Sequence, residues 1–320
     1  MDGRWPFVFG YDVTGEVIDV GSDVTQLKIG DRVLCFNFGV FGTAGPKSGA
    51  FQTHSIHKTP NVAKIPDSWS YIDASVLPLA AVTAAASLFP LFHLGLDYPC
   101  VPSAPSNGKI LLVWGGSSSV GAVGIQMAIA AGYEVIATCG QGNVDFVKSL
   151  GVSQTFQYSS ASVIDDIAQA IKCSKKHYVG AFVAMQERAE PLHAAMVSGK
   201  LDVKESPIVA TNPFYNKEGL PDNVRVTGGK SPRYNEIHQL ISHAVRAPQI
   251  FSSWQGMPGV PRDNAVGQAI FQKWLPEAME AKTIRPVPQP VVVGKGLEAI
   301  QEALEIVSRG VSGQKLVVEL

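Results

Sequence analysis

Residues 109–128 read Lys109-Ile-Leu-Leu-Val-Trp114-Gly-Gly-Ser-Ser-Ser-Val-Gly121-Ala-Val-Gly-Ile-Gln-Met-Ala128. The uncharged apolar run after Lys109 predicts a buried strand, and the glycine–serine run a tight turn. The small residues that follow predict a helix opening against a close neighbour. Strand, turn and helix in this order form the anion cradle of a doubly wound α/β domain. There the turn amides and the helix N-terminus converge on a pyrophosphate. Gly116, Gly121 and Gly124 omit side chains where backbone must approach closely. The loop is a serine-rich variant of G-x-G-x-x-G, so its placement between strand and helix carries the reading.

Working outward, the pattern repeats. Residues 133–138 predict a second strand, 143–150 a short helix ended by Gly151, and 155–158 a third strand. Residues 162–172 place Val163, Ile164, Ile167, Ala168 and Ile171 at helical spacing. Residues 178–185 form an uncharged run, as expected of a strand covered on both faces. Alternating units of this length predict a parallel sheet with right-handed crossovers.

The end of the second strand bears on the cofactor. A site for NAD usually carries an acid there, accepting hydrogen bonds from the ribose hydroxyls. Here the strand ends Ala137-Thr-Cys-Gly140-Gln-Gly-Asn143, with no acid before Asp145. A carboxylate would repel a 2′-phosphate, so its absence favours NADP(H). Lys148 and Tyr158 offer a charge and a hydroxyl. The alternative is that Thr138 and Asn143 simply cap the next helix.

A chain of 320 residues accommodates two domains. With 26 basic and 27 acidic residues, nothing draws it to nucleic acid or an anionic membrane. Cys35, Cys100, Cys139 and Cys173 are scattered without a C-x-x-C pair, which suits free thiols in a reducing compartment and supplies no zinc lobe. No basic-then-apolar leader opens the chain, so a cytoplasmic location is expected. Residues 75–96 are apolar enough to raise a membrane span. Pro78 and Pro90 interrupt them and His93 sits near their end, which predicts a buried helix instead.

Residues 7–20 and 32–38 are rich in Val, Ile and Phe and broken by Gly10, Gly15, Gly21, Gly30 and Gly39. Short strands with frequent turns predict a small β-barrel-like domain. The closing residues, 290–293, a helix over 297–308 and 313–320, predict two more strands that return to it. The domains are therefore drawn as 1–88 with 286–320, and 89–285. An irregular insertion, rich in proline and aromatics, falls near 231–262.

These segments resemble a known family. Gly10-Tyr-Asp-Val-Thr-Gly-Glu-Val-Ile-Asp-Val-Gly21, Gly30-Asp-Arg-Val33, Gly49-Ala-Phe51, Lys64-Ile-Pro66, Leu77-Pro-Leu-Ala-Ala-Val-Thr-Ala84 and the serine loop look like the medium-chain dehydrogenase/reductase family. The correspondence covers nearly the whole chain in family order. It is most similar to the zinc-independent branch of quinone reductases and fungal trans-acting enoyl reductases of secondary metabolism. The resemblance implies a GroES-like catalytic domain, a Rossmann domain with a cleft between the two, and NADPH as hydride donor.

Carried over by position, Ser117, Ser118, Ser119 and Val120 match the phosphate-binding loop. Gly140, Gln141, Gly142 and Asn143 match the segment around the 2′-phosphate, and Tyr158 a tyrosine that packs there. Thr83 matches a threonine on the nicotinamide side, and Ser312 and Gly313 a turn closing over the cofactor. Tyr11 and Thr83 are the catalytic candidates. The alternatives are a tyrosine packed against the barrel, a helical threonine bonded to a carbonyl, and an ordinary turn at 312–313.

Zinc-dependent members carry Gly-His-Glu where this chain has Gly10-Tyr11-Asp12, and a tyrosine does not replace a neutral imidazole as ligand. The cysteine lobe is missing between Gly39 and Ser48. His54 and His57, in a predicted strand, point to opposite faces. His238 and His243 are five apart, poor spacing for one helical face. A metal-free protein is expected. Without a Lewis acid, an activated C=C bond in an enone, enoyl thioester or quinone is a better hydride acceptor than a simple carbonyl.

Two departures from the family stand out. The chain begins nine residues before Gly10, where relatives carry about half a barrel more, and Phe182-Val183-Ala184 lacks the usual acid after the fourth strand. They leave a second reading, a non-catalytic NADPH-binding accessory protein of a biosynthetic complex. The expected partners are a small-molecule substrate and either a second copy, through the strand at 290–293, or a synthase.

Overall fold

The computed structural model describes residues 8–37, 49–185, 190–211, 220–227 and 264–320. The insertion near 231–262, with His238 and His243, lies outside the described residues. The chain forms two compact units, Met1–Val82 with Gly267–Leu320, and Thr83–Val266.

The second unit is built on a six-stranded parallel sheet. Its strands are β4 (Lys109–Trp114), β5 (Glu134–Cys139), β6 (Gln154–Gln157), β7 (His177–Val183), β8 (Ser206–Ala210) and β9 (Val224–Thr227). They lie in the order β6-β5-β4-β7-β8-β9. The chain runs outward from β4 in one direction and then returns to start again at β7. Such a reversal opens a crevice beyond the carboxyl ends of the two central strands. Ile110 to Trp114 of β4 are at most 1% exposed, as a strand covered on both faces requires.

Helix α3 (Ser119–Ala130) follows β4 and approaches the sheet through its glycines. A Cβ on Gly124 would lie 2.7 Å from the Phe182 ring, so only glycine permits this contact. Helix α5 (Val163–Ser174) buries Val163, Ile167, Ala168 and Ile171, the stripe its spacing predicts. Between β5 and β6 lie a 3-10 turn (Gln141–Asn143) and α4 (Val144–Lys148). The fourth strand ends at Val183, so Ala184 and Met185 leave the sheet at its carboxyl edge. Strands β8 and β9 and helix α6 (Glu190–Gly199) extend the sheet beyond the four predicted strands.

The first unit holds an antiparallel sheet of β1 (Asp12–Glu16), β2 (Arg32–Phe36) and β3 (Val62–Lys64). Val33, Cys35 and Val62 are buried between its strands with Val13, Val17 and Leu27 packed against them. The closing residues form β10 (Gln289–Lys295) and β11 (Gln314–Glu319), a parallel pair joined through the helix Ala299–Ser308. Trp69 Nε1 donates to Met279 O at 3.0 Å, tying residues before the nucleotide domain to residues after it.

One strand expectation fails. Residues 51–58 carry no strand, so the opposite-face argument for His54 and His57 does not apply. His54 is exposed beside Thr53 Oγ1 (3.1 Å), whereas His57 Nε2 lies 2.6 Å from Ser55 Oγ. Burial holds the His57 imidazole at a pKa of about 4.

The apolar run forms α1 (Tyr71–Ala74) and α2 (Pro78–Leu88). Residues Tyr71–Leu88 meet the length and hydropathy of a membrane span, yet 72% of them are buried inside the protein. That is the environment of a core helix.

Candidate cofactor-binding site

Two side-chain-free approaches shape the turn after β4. Gly115 has φ +90°, and a Cβ there would lie 2.4 Å from Met185 Cγ. A Cβ on Gly121 would lie 2.2 Å from Gly115 O, a backbone atom that has nowhere to move. The turn is also stitched to β5. Gly115 N donates to Thr138 Oγ1 at 3.0 Å and Gly116 N to Thr138 O at 2.8 Å. Thr138 is fully buried in this role, so it does not cap the following helix. Nor does the Asn143 side chain make a capping bond to α4.

Ser118 is the N-cap of α3, in extended conformation, with Oγ accepting from Gly121 N at 3.0 Å. The next amides, Ser119 N and Val120 N, donate to no carbonyl among the described residues. These are orphan donors of a helix start, at the positive end of its dipole. No acid lies in the first turn of α3, and Ser117 to Val120 are only half-buried. A cradle of glycine backbone, open amides and hydroxyls, with no competing carboxylate, fits a diphosphate.

The acid-free segment lies alongside, at the end of β5. Gly140 is extended, Gln141 and Gly142 are exposed, and Asn143 is half-buried. Tyr158 N donates to Cys139 O at 3.3 Å, which brings the tyrosine back over the loop. A Cβ on Gly140 would sit 3.2 Å from the Tyr158 hydroxyl. The Tyr158 side chain is otherwise well exposed. Lys148 is exposed in the last turn of α4. Burial raises the Cys139 thiol pKa and the Lys148 charge opposes that rise, so its field reaches the end of β5.

The structure thus gathers Gly116, Ser117, Ser118, Ser119, Val120, Gly121, Gly140, Gln141, Gly142, Asn143 and Tyr158 at the carboxyl edge of β4 and β5, with Lys148 in the last turn of the short α4 that follows. Thr83 belongs to the same unit but is 2% exposed within α2, its carbonyl accepting from Ser87 Oγ at 2.8 Å. Tyr11, Ser312 and Gly313 belong to the other unit. The Tyr11 ring stacks parallel on Phe36 at 6.0 Å, and burial pushes its phenol pKa upward. Gly313 has φ +65° immediately before β11.

Sequence reasoning missed Thr138 as the stitch, and Ala184 and Met185 as the other wall. A polar residue closing an apolar strand was the available signal for Thr138. No local pattern marks Met185. Among the described residues no group of three or more His, Cys, Asp or Glu is placed to hold a metal ion.

Residues 1–67 match the model of the alcohol dehydrogenase GroES-like domain. The dehydrogenase pigH of Monascus ruber is 36% identical over 99% of this chain and 84% of its own length. The trans-enoyl reductase himH of Aspergillus japonicus is 34% identical over 99% of this chain and 82% of its own. Among solved structures, an alcohol dehydrogenase superfamily protein from Novosphingobium aromaticivorans aligns over 95% of this chain and 78% of its own. Its TM-score is 0.66 at 20% identity. The CurK enoyl reductase aligns over 98% and 79%, with a TM-score of 0.63 at 18% identity. Identity at this level over nearly the entire chain shows that it belongs to the medium-chain dehydrogenase/reductase family, in the branch of fungal dehydrogenases and trans-enoyl reductases.

Proposed function

We propose that the chain is an NADPH-dependent, zinc-independent reductase of a fungal secondary-metabolite pathway. Its substrate in this reading is an activated double bond in an enone, enoyl thioester or quinone. The observation that carries it is the acid-free end of β5, where Tyr158 overhangs Gly140 and Lys148 is exposed, next to the open amides of the serine turn. The names of the relatives, dehydrogenases and trans-enoyl reductases, support the reaction class.

In this reading the amides of Ser119 and Val120, with the hydroxyls of Ser117 and Ser119, hold the pyrophosphate. Lys148, Tyr158 and the amides of Gly140 to Gly142 hold the 2′-phosphate. A charged lysine near a phosphate discriminates against a ribose that lacks one. When bound, the reduced nicotinamide supplies a hydride to the β-carbon, and the α-carbon takes a proton. Water is the favoured donor; Tyr11, the other candidate, is buried, and burial raises its phenol pKa and so makes it a weaker acid. No metal is needed to polarise the acceptor, because conjugation carries the charge to oxygen, where backbone amides can stabilise it. The protein works as a soluble cytoplasmic enzyme on a small molecule, as a homodimer or beside a synthase.

The test is a titration of the purified protein with NADPH and NADH, followed by turnover with a panel of enones, enoyl thioesters and quinones. Tight NADPH binding with oxidation of cofactor by at least one class is the expected result. Binding without turnover across the panel would favour the accessory reading. Absence of NADPH binding would remove both.

A further inference from the structure

Three serines stand in a row at 117–119, and the structure separates them. Ser118 Oγ lies 2.9 Å from Gly115 O and 3.0 Å from Ala184 O while accepting from Gly121 N. A hydroxyl has one proton and two lone pairs. Here the proton is shared between two carbonyls and a lone pair is used by the helix cap. No hydrogen bond among the described residues engages the hydroxyl of Ser117 or Ser119.

The Ala184 contact is more than capping. Gly115 belongs to the turn after β4, whereas Ala184 follows β7, the other strand at the reversal of strand order. Ala184 N already donates to Trp114 O at 2.9 Å, the last rung between the two strands. Ser118 adds one further link past the end of the sheet. Beyond it, the Met185 side chain fills the space that a Cβ on Gly115 would need, and Met185 O accepts from Thr211 Oγ1 at 3.4 Å. A dinucleotide bound across this reversal rests one half on each side.

We propose that Ser118 is a positioning residue, whose hydroxyl clasps the phosphate turn to the segment after β7 and so fixes the spacing between the supports of the two cofactor halves. The inference rests on the nicotinamide-dinucleotide reading above. It separates Ser118 from its neighbours: Ser117 and Ser119 offer hydroxyls to phosphate, and Ser118 does not.

The experiment compares calorimetric binding of NADPH and of 2′,5′-ADP, which lacks the nicotinamide half, in the wild type and four variants. Ser118→Ala is expected to weaken NADPH about tenfold, the worth of one hydrogen bond in a partly dry site, and to leave 2′,5′-ADP within about twofold. Ser118→Thr, which keeps the hydroxyl, restores NADPH affinity. Ser118→Gly, which retains a favourable N-cap, behaves as Ser118→Ala and serves if the alanine variant does not fold. Ser117→Ala weakens both ligands together. Equal losses for both ligands in Ser118→Ala and Ser118→Gly would make the hydroxyl a direct phosphate ligand and overturn the clasp. No loss for either ligand would overturn it as well. A wild type that binds neither ligand would instead refute the cofactor reading.

Discussion

Asp12 and Lys315 form an ion pair across 303 residues of chain, with Oδ2 2.8 Å from Nζ and both side chains about four-fifths buried. Asp12 Oδ1 also accepts from Leu79 N at 2.6 Å, so the same carboxylate caps the start of α2 from another element. Lys315 Nζ donates in addition to Val76 O at 3.1 Å. One pair thus joins β1, β11 and the residues that open α2. Asp12→Ala strands the lysine in a largely dry site and leaves a helix amide open, at a cost of roughly 2–4 kcal/mol. Asp12→Ala with Lys315→Met should cost less than the sum of the single changes. Denaturant unfolding of the double-mutant cycle measures this, and additive losses would show that the pair does not couple.

The glycines of the nucleotide domain should differ sharply in tolerance. Gly121→Ala drives a Cβ against backbone and Gly124→Ala drives one into the Phe182 ring, whereas nothing lies within 4 Å of a Cβ on Gly142. Overpacking of this kind costs about 1–3 kcal/mol, and an unobstructed surface change stays within about 0.5 kcal/mol. Gly121→Ala and Gly124→Ala should therefore lower the unfolding midpoint while Gly142→Ala leaves it in place. A stable Gly121→Ala protein would mean that the turn relaxes away from its described geometry.

Cofactor preference should follow the end of β5. NADPH is expected to bind at least ~10-fold more tightly than NADH, about 1.4 kcal/mol. Lys148→Glu should remove most of that preference by weakening NADPH alone. Because Lys148 is exposed, its share should shrink as ionic strength rises. Equal affinities for the two cofactors in the wild type would reject the assignment of this loop.

How far these features could be read from sequence depends on their range. The strand at 109–114, the glycine turn and the stripe of α5 are set by neighbours in the chain, and each forms where its pattern predicts. Ser117, Ser118 and Ser119 are chemically identical on paper; only the fold brings Ala184 to one of them. Nothing local in the sequence ties Asp12 to Lys315; only the return of β11 brings the two together. Residues 54–57 resemble a strand in composition, yet no partner strand pairs with them among the described residues, and β structure requires one.

Metal content gives an independent check on the chemistry. Tyr11 stands where zinc-binding relatives have a histidine, and its ring is engaged with Phe36. The purified protein should carry well under one zinc per chain by elemental analysis, and a chelator should leave NADPH binding unchanged. Stoichiometric zinc lost together with activity would reverse the reading.

Acid should destabilise the protein through its buried histidines. His93 is 3% exposed, with Nδ1 2.8 Å from Thr227 Oγ1 and Nε2 buried without a partner among the described residues. Burial, assisted by the nearby charge of Arg225, lowers its pKa from 6.5 to about 4. His57 is lowered to a similar value by burial. At about pH 7.5 and above both are essentially neutral whether folded or unfolded, and stability does not depend on them. Between 6.5 and 4 the unfolded chain takes up protons that the folded chain refuses, so stability falls as the pH falls. Each histidine contributes a slope of up to about 1.4 kcal/mol per pH unit in that window. His93→Gln keeps a polar atom for Thr227 and removes one of the two titrations. Urea unfolding at pH 7, 6 and 5 should show a shallower decline in that variant than in the wild type. An unchanged slope would mean that water reaches His93 and that its imidazole titrates normally in the fold.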